Sequence, residues 1–268
     1  MIEDICEAMG TKAEDGSLVG TFGDFGITSL YANKQITAGD GGWVHARDPK
    51  YHDRIKSLLN HGFDPSYHFL HFETAPNAKM NGLGAAFVCA QVKLLPDIML
   101  HRGQVASWYR THLDEMKKGL PEMNELTCIE KGRYDAPWVF GIEVKDRDTR
   151  DKLRNHLAAS GIETRNYFYP LHLEPVNFYS GDAGVYDIVL PRAEKAAQVG
   201  FYLPSHTYLR EADIKFICYI IRCFYEASLP EEKRWPALSC PQQSNEWVST
   251  KRTVQLKTDA RPEIVCSA

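Results

Sequence analysis

Residues 29–42, SLYANKQITAGDGG, place one lysine, Lys34, between a run of hydroxyl and aromatic residues and a glycine-rich turn. The flanking runs, FGDFGITSLY and GGWVHA, combine short apolar stretches with glycine and aspartate. They predict two short strands joined by the lysine loop. A lysine in such a loop is most often a solvated surface residue. The alternative is an amine that bonds covalently to an aldehyde, as in lysine-bound cofactors.

A carboxylate precedes this lysine, because Asp4 closes the run MIED, which predicts the end of a buried strand. An aldehyde cofactor bound to lysine draws electrons into a pyridine ring, and a carboxylate beside the ring nitrogen keeps that nitrogen protonated. The Ser29 hydroxyl and glycine-rich backbone would donate hydrogen bonds to a cofactor phosphate. An aspartate that ends a strand is also a common turn residue, so the spacing leaves both interpretations open.

The composition is typical of a globular protein without a nucleic-acid-binding surface. The 268 residues are 44% hydrophobic and 25% charged, and the formal net charge is -4. The seven cysteines are scattered and form no C-x-x-C pair, which argues against a disulfide framework or a metal site. The start MIEDICEA is not a secretory signal, and IKFICYIIRCFY is too short and too charged to span a bilayer. We therefore expect a cytoplasmic protein with no metal and no membrane partner.

Strands alternate with helices in the second half of the chain, which predicts an α/β fold. The predicted strands are WVFGIEVK, IETRNYFYP and FYLPS, and the predicted helices are DTRDKLRNHLAASG, LPRAEKAAQVG and READIKFICYIIRCFYEA. The last helix has a predicted buried stripe of Ile214, Ile217, Ile221 and Phe224. In the first half, a helix is predicted from the Asp48 cap to Gly62, and residues 81–117 are predicted to be helical with a break near Pro96.

Six motifs occur in order along the chain: IEDICEAMG, GTFGDFGITSLYANKQITAGDGGWV, LLNHG, NAKMNGLGAAFVCAQ, GIETRNYFYPLH and GFYLPS. This series resembles the nucleotide-sugar aminotransferases of the DegT/DnrJ/EryC/StrS type, which depend on pyridoxal 5'-phosphate (PLP), and most of all their perosamine-synthase-like branch. The resemblance implies a type I, aspartate aminotransferase-like fold. Residues 1–115 would be the later part of the PLP-binding large domain, and residues 116–228 a small C-terminal α/β domain. Residues 229–268 are predicted to be a polar, partly disordered tail.

The resemblance also implies roles for individual residues. Lys34 would bond to the PLP aldehyde and move a proton between cofactor and substrate carbons, and Asp4 would hold the protonated ring nitrogen. Ser29 would bind the phosphate, and Glu7 stands beside the ring where many relatives have glutamine. Asn77 matches an asparagine that reaches the phosphate from a neighbouring subunit, which implies a homodimer.

Two further residues are expected near the nucleotide-sugar entrance. By the same resemblance, Arg165 and His172, in TRNYFYPLH, would bind the substrate. The alternatives are a surface ion pair for Arg165 and a hydrogen-bonded strand-end histidine for His172. For Asn77 the alternative is a residue at the start of a helix.

Lys34 favours transamination, because the sugar dehydratases that resemble this family have a histidine at the lysine position. The expected reaction moves an amino group, with glutamate as donor, onto a keto-sugar linked to a nucleotide, in amino-sugar and polysaccharide biosynthesis. The family's large domain begins upstream of residue 1 with the loop that cradles the phosphate, so we expect the chain to lack this part. A complementing N-terminal half could supply it, and we do not expect the chain to act unaided. The alternatives are a non-catalytic remnant or assembly module, and a simple α/β binding domain.

Overall fold

Two small β-sheets and the helices packed on them form the fold, which confirms the predicted α/β class. The computed structural model describes residues 1–64, 66–67, 69–128, 137–179, 188–227 and 229. The predicted tail over residues 229–268 therefore lies outside the described residues, apart from its first residue. The first sheet bears the lysine loop, and the second is the centre of the C-terminal half.

The first sheet consists of three strands in the order β1 (Ile2–Asp4), β2 (Phe25–Ser29) and β3 (Gly42–Ala46). Strand β1 is parallel to β2, and β3 is antiparallel to β2. Because parallel strands end at the same edge of a sheet, Asp4 and Ser29 both lie at the carboxyl edge. Ser29 pairs with Gly42, so the loop that contains Lys34 leaves and re-enters the sheet at this same edge.

The carboxylate of Glu3 fastens β1 to the loop that precedes β2. It accepts hydrogen bonds from the backbone N–H groups of Gly20, Phe22 and Gly23, at 2.7, 2.7 and 2.5 Å. These bonds, that from Gly23 foremost, lower the pKa of Glu3 because they stabilise the charged carboxylate. Gly20 has a φ of +89°, which glycine adopts without strain, so the loop can close over the carboxylate.

The second sheet is antiparallel throughout and has the order β4–β5–β7–β6. Its strands are β4 (Thr127–Cys128), β5 (Phe140–Glu143), β6 (Arg165–Asn166) and β7 (Gly200–Leu203). The predicted strand over residues 162–170 is wrong in length, since only β6 forms. Among the described residues β6 pairs with β7 alone, and a four-residue neighbour offers few partners to an edge strand.

Seven α-helices lie within the described residues: α1 (His52–Leu59), α2 (Gly82–Val92), α3 (Leu95–Lys117), α4 (Arg147–Ala159), α5 (Pro175–Tyr179), α6 (Pro191–Val199) and α7 (Glu211–Glu226). The predicted break near Pro96 is confirmed, since α2 ends at Val92 and α3 begins at Leu95. Pro96 lies in the first turn of α3, where a helix residue needs no N–H donor. In the described part of the chain, no single helix is long and apolar enough to cross a membrane. Taken together, α2 and α3 have the length and composition of a membrane span, but their axes are bent by 67° relative to each other.

Two hydrophobic clusters hold these elements together. The larger cluster surrounds the second sheet and includes buried side chains of α3, α4 and α7. The predicted stripe on α7 is confirmed for its three isoleucines, whereas Phe224 is only partly buried. The smaller cluster supports the lysine loop, because two of its three buried members, Leu30 and Ile36, flank Lys34 in sequence. Helix α3 crosses the boundary predicted at residue 115 and contacts both clusters. Its buried side chains belong to the larger cluster, whereas Leu95 and Ile98 pack against the smaller one. The division into domains stays a prediction.

We expect the replacement of Leu113 by alanine to destabilise the protein by about 2–5 kcal/mol, because it leaves a cavity in the larger cluster. Leu100 lies on the same helix but is 65% exposed. Its replacement by alanine should change the free energy of unfolding by less than about 0.5 kcal/mol. Urea unfolding followed by circular dichroism measures both values. Equal destabilisation by the two replacements would contradict the described packing of α3.

Glu3 should make the stability of the first sheet depend on pH. Its pKa is lowered in the folded chain, so its contribution is present above the unfolded pKa and is lost as the pH falls through the folded pKa. Glu3→Gln should therefore lower the thermal unfolding midpoint at pH 7, and this difference should shrink below about pH 4. Circular dichroism measures the midpoints, with the exposed Glu122 replaced by glutamine as matched control. A difference in midpoint between the two chains that persists unchanged in acid would contradict stabilisation by the charged Glu3 carboxylate.

Candidate active site

The side chain of Lys34 is turned into the protein from the loop after β2. Its ammonium nitrogen, Nζ, lies 3.3 Å from Oε1 of Glu7 and 4.0 Å from the centre of the Trp138 ring. Only 9% of the Lys34 side chain is exposed, compared with 47% of the Glu7 side chain. The structure thus excludes the interpretation of Lys34 as a solvated surface residue, and its chemical role stays a prediction.

Hydrogen bonds inside the loop and to α2 hold this lysine in place. The Lys34 N–H donates to the carbonyl of Tyr31 at 3.0 Å, which forms a turn at the lysine. The side-chain amide of Gln91, on α2, accepts from the Thr37 N–H at 3.1 Å and donates to the Thr37 carbonyl at 2.7 Å. The loop is therefore anchored on both sides of the lysine.

Asp4 lies at the end of β1 and is ionised near neutral pH. Hydrogen bonds from the Cys6 side chain and from its backbone N–H, the latter at 3.0 Å, lower the pKa of Asp4. The nearby Lys34 ammonium lowers this pKa further. Burial and the contact with Asp4 raise the pKa of the Cys6 thiol to about 11. The structure thus brings Asp4, Glu7 and Lys34 into one cluster of charges.

Ser29 ends β2 at the same edge of the sheet as Asp4. Its Oγ accepts a hydrogen bond from the Tyr31 N–H at 3.2 Å. A hydroxyl that accepts one bond can still donate its own hydrogen to another acceptor, so Ser29 is suited to bind an anion beside the lysine loop.

Asn77 belongs to a different part of the structure. It forms an isolated bridge with Asn60, and its side-chain oxygen lies 3.5 Å from the Lys79 N–H. The described contacts do not connect it to Lys34. The alternative of a helix-start residue is wrong, because Asn81 caps α2 by accepting from the Gly84 N–H at 2.7 Å. A role towards a neighbouring subunit stays a prediction.

Arg165 is connected to the lysine cluster by Tyr202, which interacts with both Arg165 and Glu7. The two residues are paired across β6 and β7, and the Arg165 guanidinium lies 5.3 Å from the Phe168 ring. Burial raises the pKa of Tyr202, the Glu7 charge raises it further, and the Arg165 charge lowers it. Both charges therefore act on one phenol. The contacts of the described residues show no carboxylate partner for Arg165, so the ion-pair alternative has no support there.

His172 is buried and hydrogen-bonded. Its Nε2 lies 3.0 Å from Oε1 of Glu194, on α6, and 5% of its side chain is exposed. The same carboxylate accepts from the Leu190 N–H at 2.9 Å, and these bonds lower the pKa of Glu194. This is the arrangement of a hydrogen-bonded structural histidine, and substrate binding by His172 stays a prediction.

Trp138 and Arg102 are site residues that sequence reasoning missed. The Trp138 indole donates from Nε1 to the Asn33 carbonyl at 2.9 Å, across 105 residues of sequence. Arg102, on α3, donates to the Trp138 carbonyl at 2.7 Å. The sequence places Trp138 only in a predicted strand, because no local pattern signals a contact with so distant a loop.

The cavity that reaches Arg165 and Tyr202 does not include Lys34, and the described residues form no metal site. A cavity of about 650 Å³ extends between β7 and the start of α7, and Arg165 and Tyr202 lie on its wall. Lys34 does not line it, so the desolvated lysine is a separate feature. Among the described residues, no group of three histidine, cysteine or acidic side chains is placed to hold a metal ion.

A desolvated lysine beside an ionised carboxylate, on a loop between strands of an α/β fold, is the type of site that binds an aldehyde cofactor. Residues 1–222 match the model of the DegT/DnrJ/EryC1/StrS aminotransferase family. The chain belongs to this family, whose members depend on PLP and include nucleotide-sugar aminotransferases.

The relatives show the extent of this similarity. The chain is 32% identical over 225 residues to GDP-perosamine synthase of Escherichia coli O157:H7, covering 84% of the chain and 58% of that protein. It is 31% identical to the GDP-perosamine synthase of Vibrio cholerae, with coverage of 84% and 59%. A DegT DnrJ EryC1 StrS aminotransferase from Brucella abortus superposes with a TM-score of 0.68 at 28% identity, covering 84% and 57%. The chain thus spans somewhat over half the length of these relatives.

Cys6 should react slowly with iodoacetamide, because its pKa of about 11 leaves little thiolate. Cys89 is exposed on α2 and should react at least about tenfold faster at pH 8. In Asp4→Asn the rate at Cys6 should rise, since the carboxylate that opposes the thiolate is removed. Mass spectrometry of the alkylated peptides measures each rate. Equal rates at the two cysteines would contradict the described Asp4–Cys6 contact.

Proposed function

We propose that this chain forms the lysine-bearing part of a PLP-dependent aminotransferase that acts on a nucleotide-linked keto-sugar, with glutamate as amino donor. The observation that carries the proposal is the desolvated Lys34 ammonium between Glu7 and Trp138. Membership of the family and the similarity to two GDP-perosamine synthases support the substrate class.

The described residues fit the ring end of PLP. Lys34 provides an amine for the aldehyde, and Asp4, whose pKa is lowered, provides a charged partner for the protonated ring nitrogen. Ser29 would donate its hydroxyl hydrogen to the phosphate. When bound, PLP supplies an electron sink that stabilises negative charge on a substrate carbon.

The protein groups around Lys34 divide the remaining tasks. Glu7 holds the lysine by a charge-assisted hydrogen bond and compensates its positive charge while it carries a proton. Trp138 covers the other side of the amine and excludes water from it. Arg165 would bind the anionic part of a nucleotide sugar at the rim of this site, and His172 would lie near the same entrance.

We further propose that the surface of another protein chain covers the exposed parts of this one. In type I terms, residues 1–115 would be the later part of the large domain and residues 116–228 the small domain. Strand β1 pairs with β2 alone among the described residues. In the same half of the chain, large apolar side chains are exposed, including Tyr67, Phe69, Phe72, Leu83 and Phe87. Such edges and patches are usually covered. A second copy, which would also present Asn77, or a complementing N-terminal half would cover them.

A second candidate is a non-catalytic remnant or assembly module. One observation favours it: of the predicted phosphate-binding residues, only Ser29 lies beside the lysine loop. A doubly charged phosphate normally requires several donors. The two candidates differ in whether the chain binds PLP at Lys34.

Addition of PLP to the purified chain should give a visible absorption band that free PLP lacks, and borohydride should fix the cofactor to the peptide that contains Lys34. Lys34→Ala should abolish both signals, because no other lysine in the described site is comparably desolvated. Lys12→Ala, at an exposed position, is the matched control and should retain them. Addition of glutamate to the parent chain with bound PLP, without borohydride, should diminish the band.

The absence of any band in a folded chain would show that the chain alone does not bind PLP. Recovery of the band with a separately produced N-terminal half of a GDP-perosamine synthase would then support complementation. No band under either condition would favour the non-catalytic candidate. Fixation at lysines other than Lys34 would reject the proposed site.

A further inference from the structure

Trp138 is held at both its backbone and its side chain. Its carbonyl accepts a hydrogen bond from the Arg102 guanidinium at 2.7 Å, and its indole Nε1 donates to the Asn33 carbonyl at 2.9 Å. It is 6% exposed, and its ring stacks on Phe168 with centroids 6.4 Å apart. The ring therefore has little freedom to move relative to the lysine loop.

This fixed ring lies directly against the lysine. Lys34 Nζ is 4.0 Å from the ring centre, within the distance at which a cation is attracted to an aromatic face. The hydrogen bond from the indole to the Asn33 carbonyl holds the backbone of the residue that precedes Lys34. Trp138 therefore constrains both the backbone that presents the lysine and the end of its side chain.

The anchor of Trp138 is itself costly to maintain. Arg102 is 8% exposed, burial lowers its pKa, and its Nε is buried without a partner among the described residues. An uncompensated buried guanidinium destabilises a fold, so such an arrangement normally reflects a requirement beyond stability. The requirement here is the position of the indole, because the hydrogen bond from the Arg102 guanidinium to the Trp138 carbonyl fixes that position.

We propose that Trp138, anchored by Arg102, is the positioning residue that holds Lys34 in its reactive place and shields it from water. The inference rests on the proposed function for its chemical meaning, but its geometry can be tested without a cofactor. Lys34 reacts with an external reagent only when its side chain swings away from the ring. Loss of a cation–π contact changes such an equilibrium by a factor of about three to thirty.

The test is acetylation of the full chain with an N-hydroxysuccinimide ester, with Lys34 labelling measured by mass spectrometry relative to the exposed Lys12. Trp138→Leu removes the ring and the N–H donor, and should raise relative labelling of Lys34 by about three- to thirtyfold. Trp138→Phe keeps an aromatic face and should restore most of the protection. Trp43→Phe, on β3, is the matched control and should leave Lys34 labelling unchanged.

A spectroscopic measurement complements the labelling. PLP bound at Lys34 should quench Trp138, which contacts the lysine, more strongly than Trp43, so Trp138→Phe should lose the larger share of the cofactor-dependent quenching. If Trp138→Leu does not fold, Trp138→Phe decides the question without cofactor, since it loses the N–H bond to Asn33 and should raise Lys34 labelling above that of Trp43→Phe.

The outcomes separate the two proposals. Unchanged Lys34 labelling in a folded Trp138→Leu chain would overturn the positioning role, as would equal labelling in Trp138→Phe and Trp43→Phe if Trp138→Leu does not fold. Increased labelling without any PLP band in the parent chain would support positioning of Lys34 while rejecting cofactor binding by this chain alone.

Discussion

The contact of the Lys34 ammonium with the Glu7 carboxylate and the Trp138 ring is the interaction on which the site depends. It joins the two halves of the chain, since the lysine extends from the first sheet and the tryptophan precedes β5 of the second. A charge removed from water is stable only when it is compensated. Glu7 compensates the charge, and the indole covers the amine without competing for its proton. The desolvated state of Lys34 is therefore a property of both halves together.

Strand pairing arranges the other charged groups around this contact. The parallel pairing of β1 and β2 brings Asp4 and Ser29 to one edge, although they are distant in sequence. The antiparallel pairing of β6 and β7 places Arg165 opposite Tyr202, which also responds to the charge of Glu7. Two carboxylates, Asp4 and Glu7, therefore lie near the Lys34 amine and compensate its charge.

The two halves of the chain differ in how fully they bury their own apolar side chains. The larger cluster encloses the second sheet between α3, α4 and α7, whereas the smaller one has three fully buried members. Among the described residues, most of the large exposed hydrophobic side chains belong to residues 1–100. The lysine site thus lies in the less covered half of a chain that spans 58% of the length of one of its relatives. This asymmetry is the physical reason why a covering surface belongs to the proposed function.

The sequence by itself determined the alternation of strands and helices, the isoleucine stripe of α7, the α/β class and the family, because these depend on local periodicity and on short ordered motifs. It could not determine the length of β6, which depends on the shortness of its neighbour. Only the tertiary structure decided that Lys34 is desolvated and that its amine lies against the Trp138 ring. Burial and long-range hydrogen bonds arise from packing between distant segments, and no local pattern encodes them.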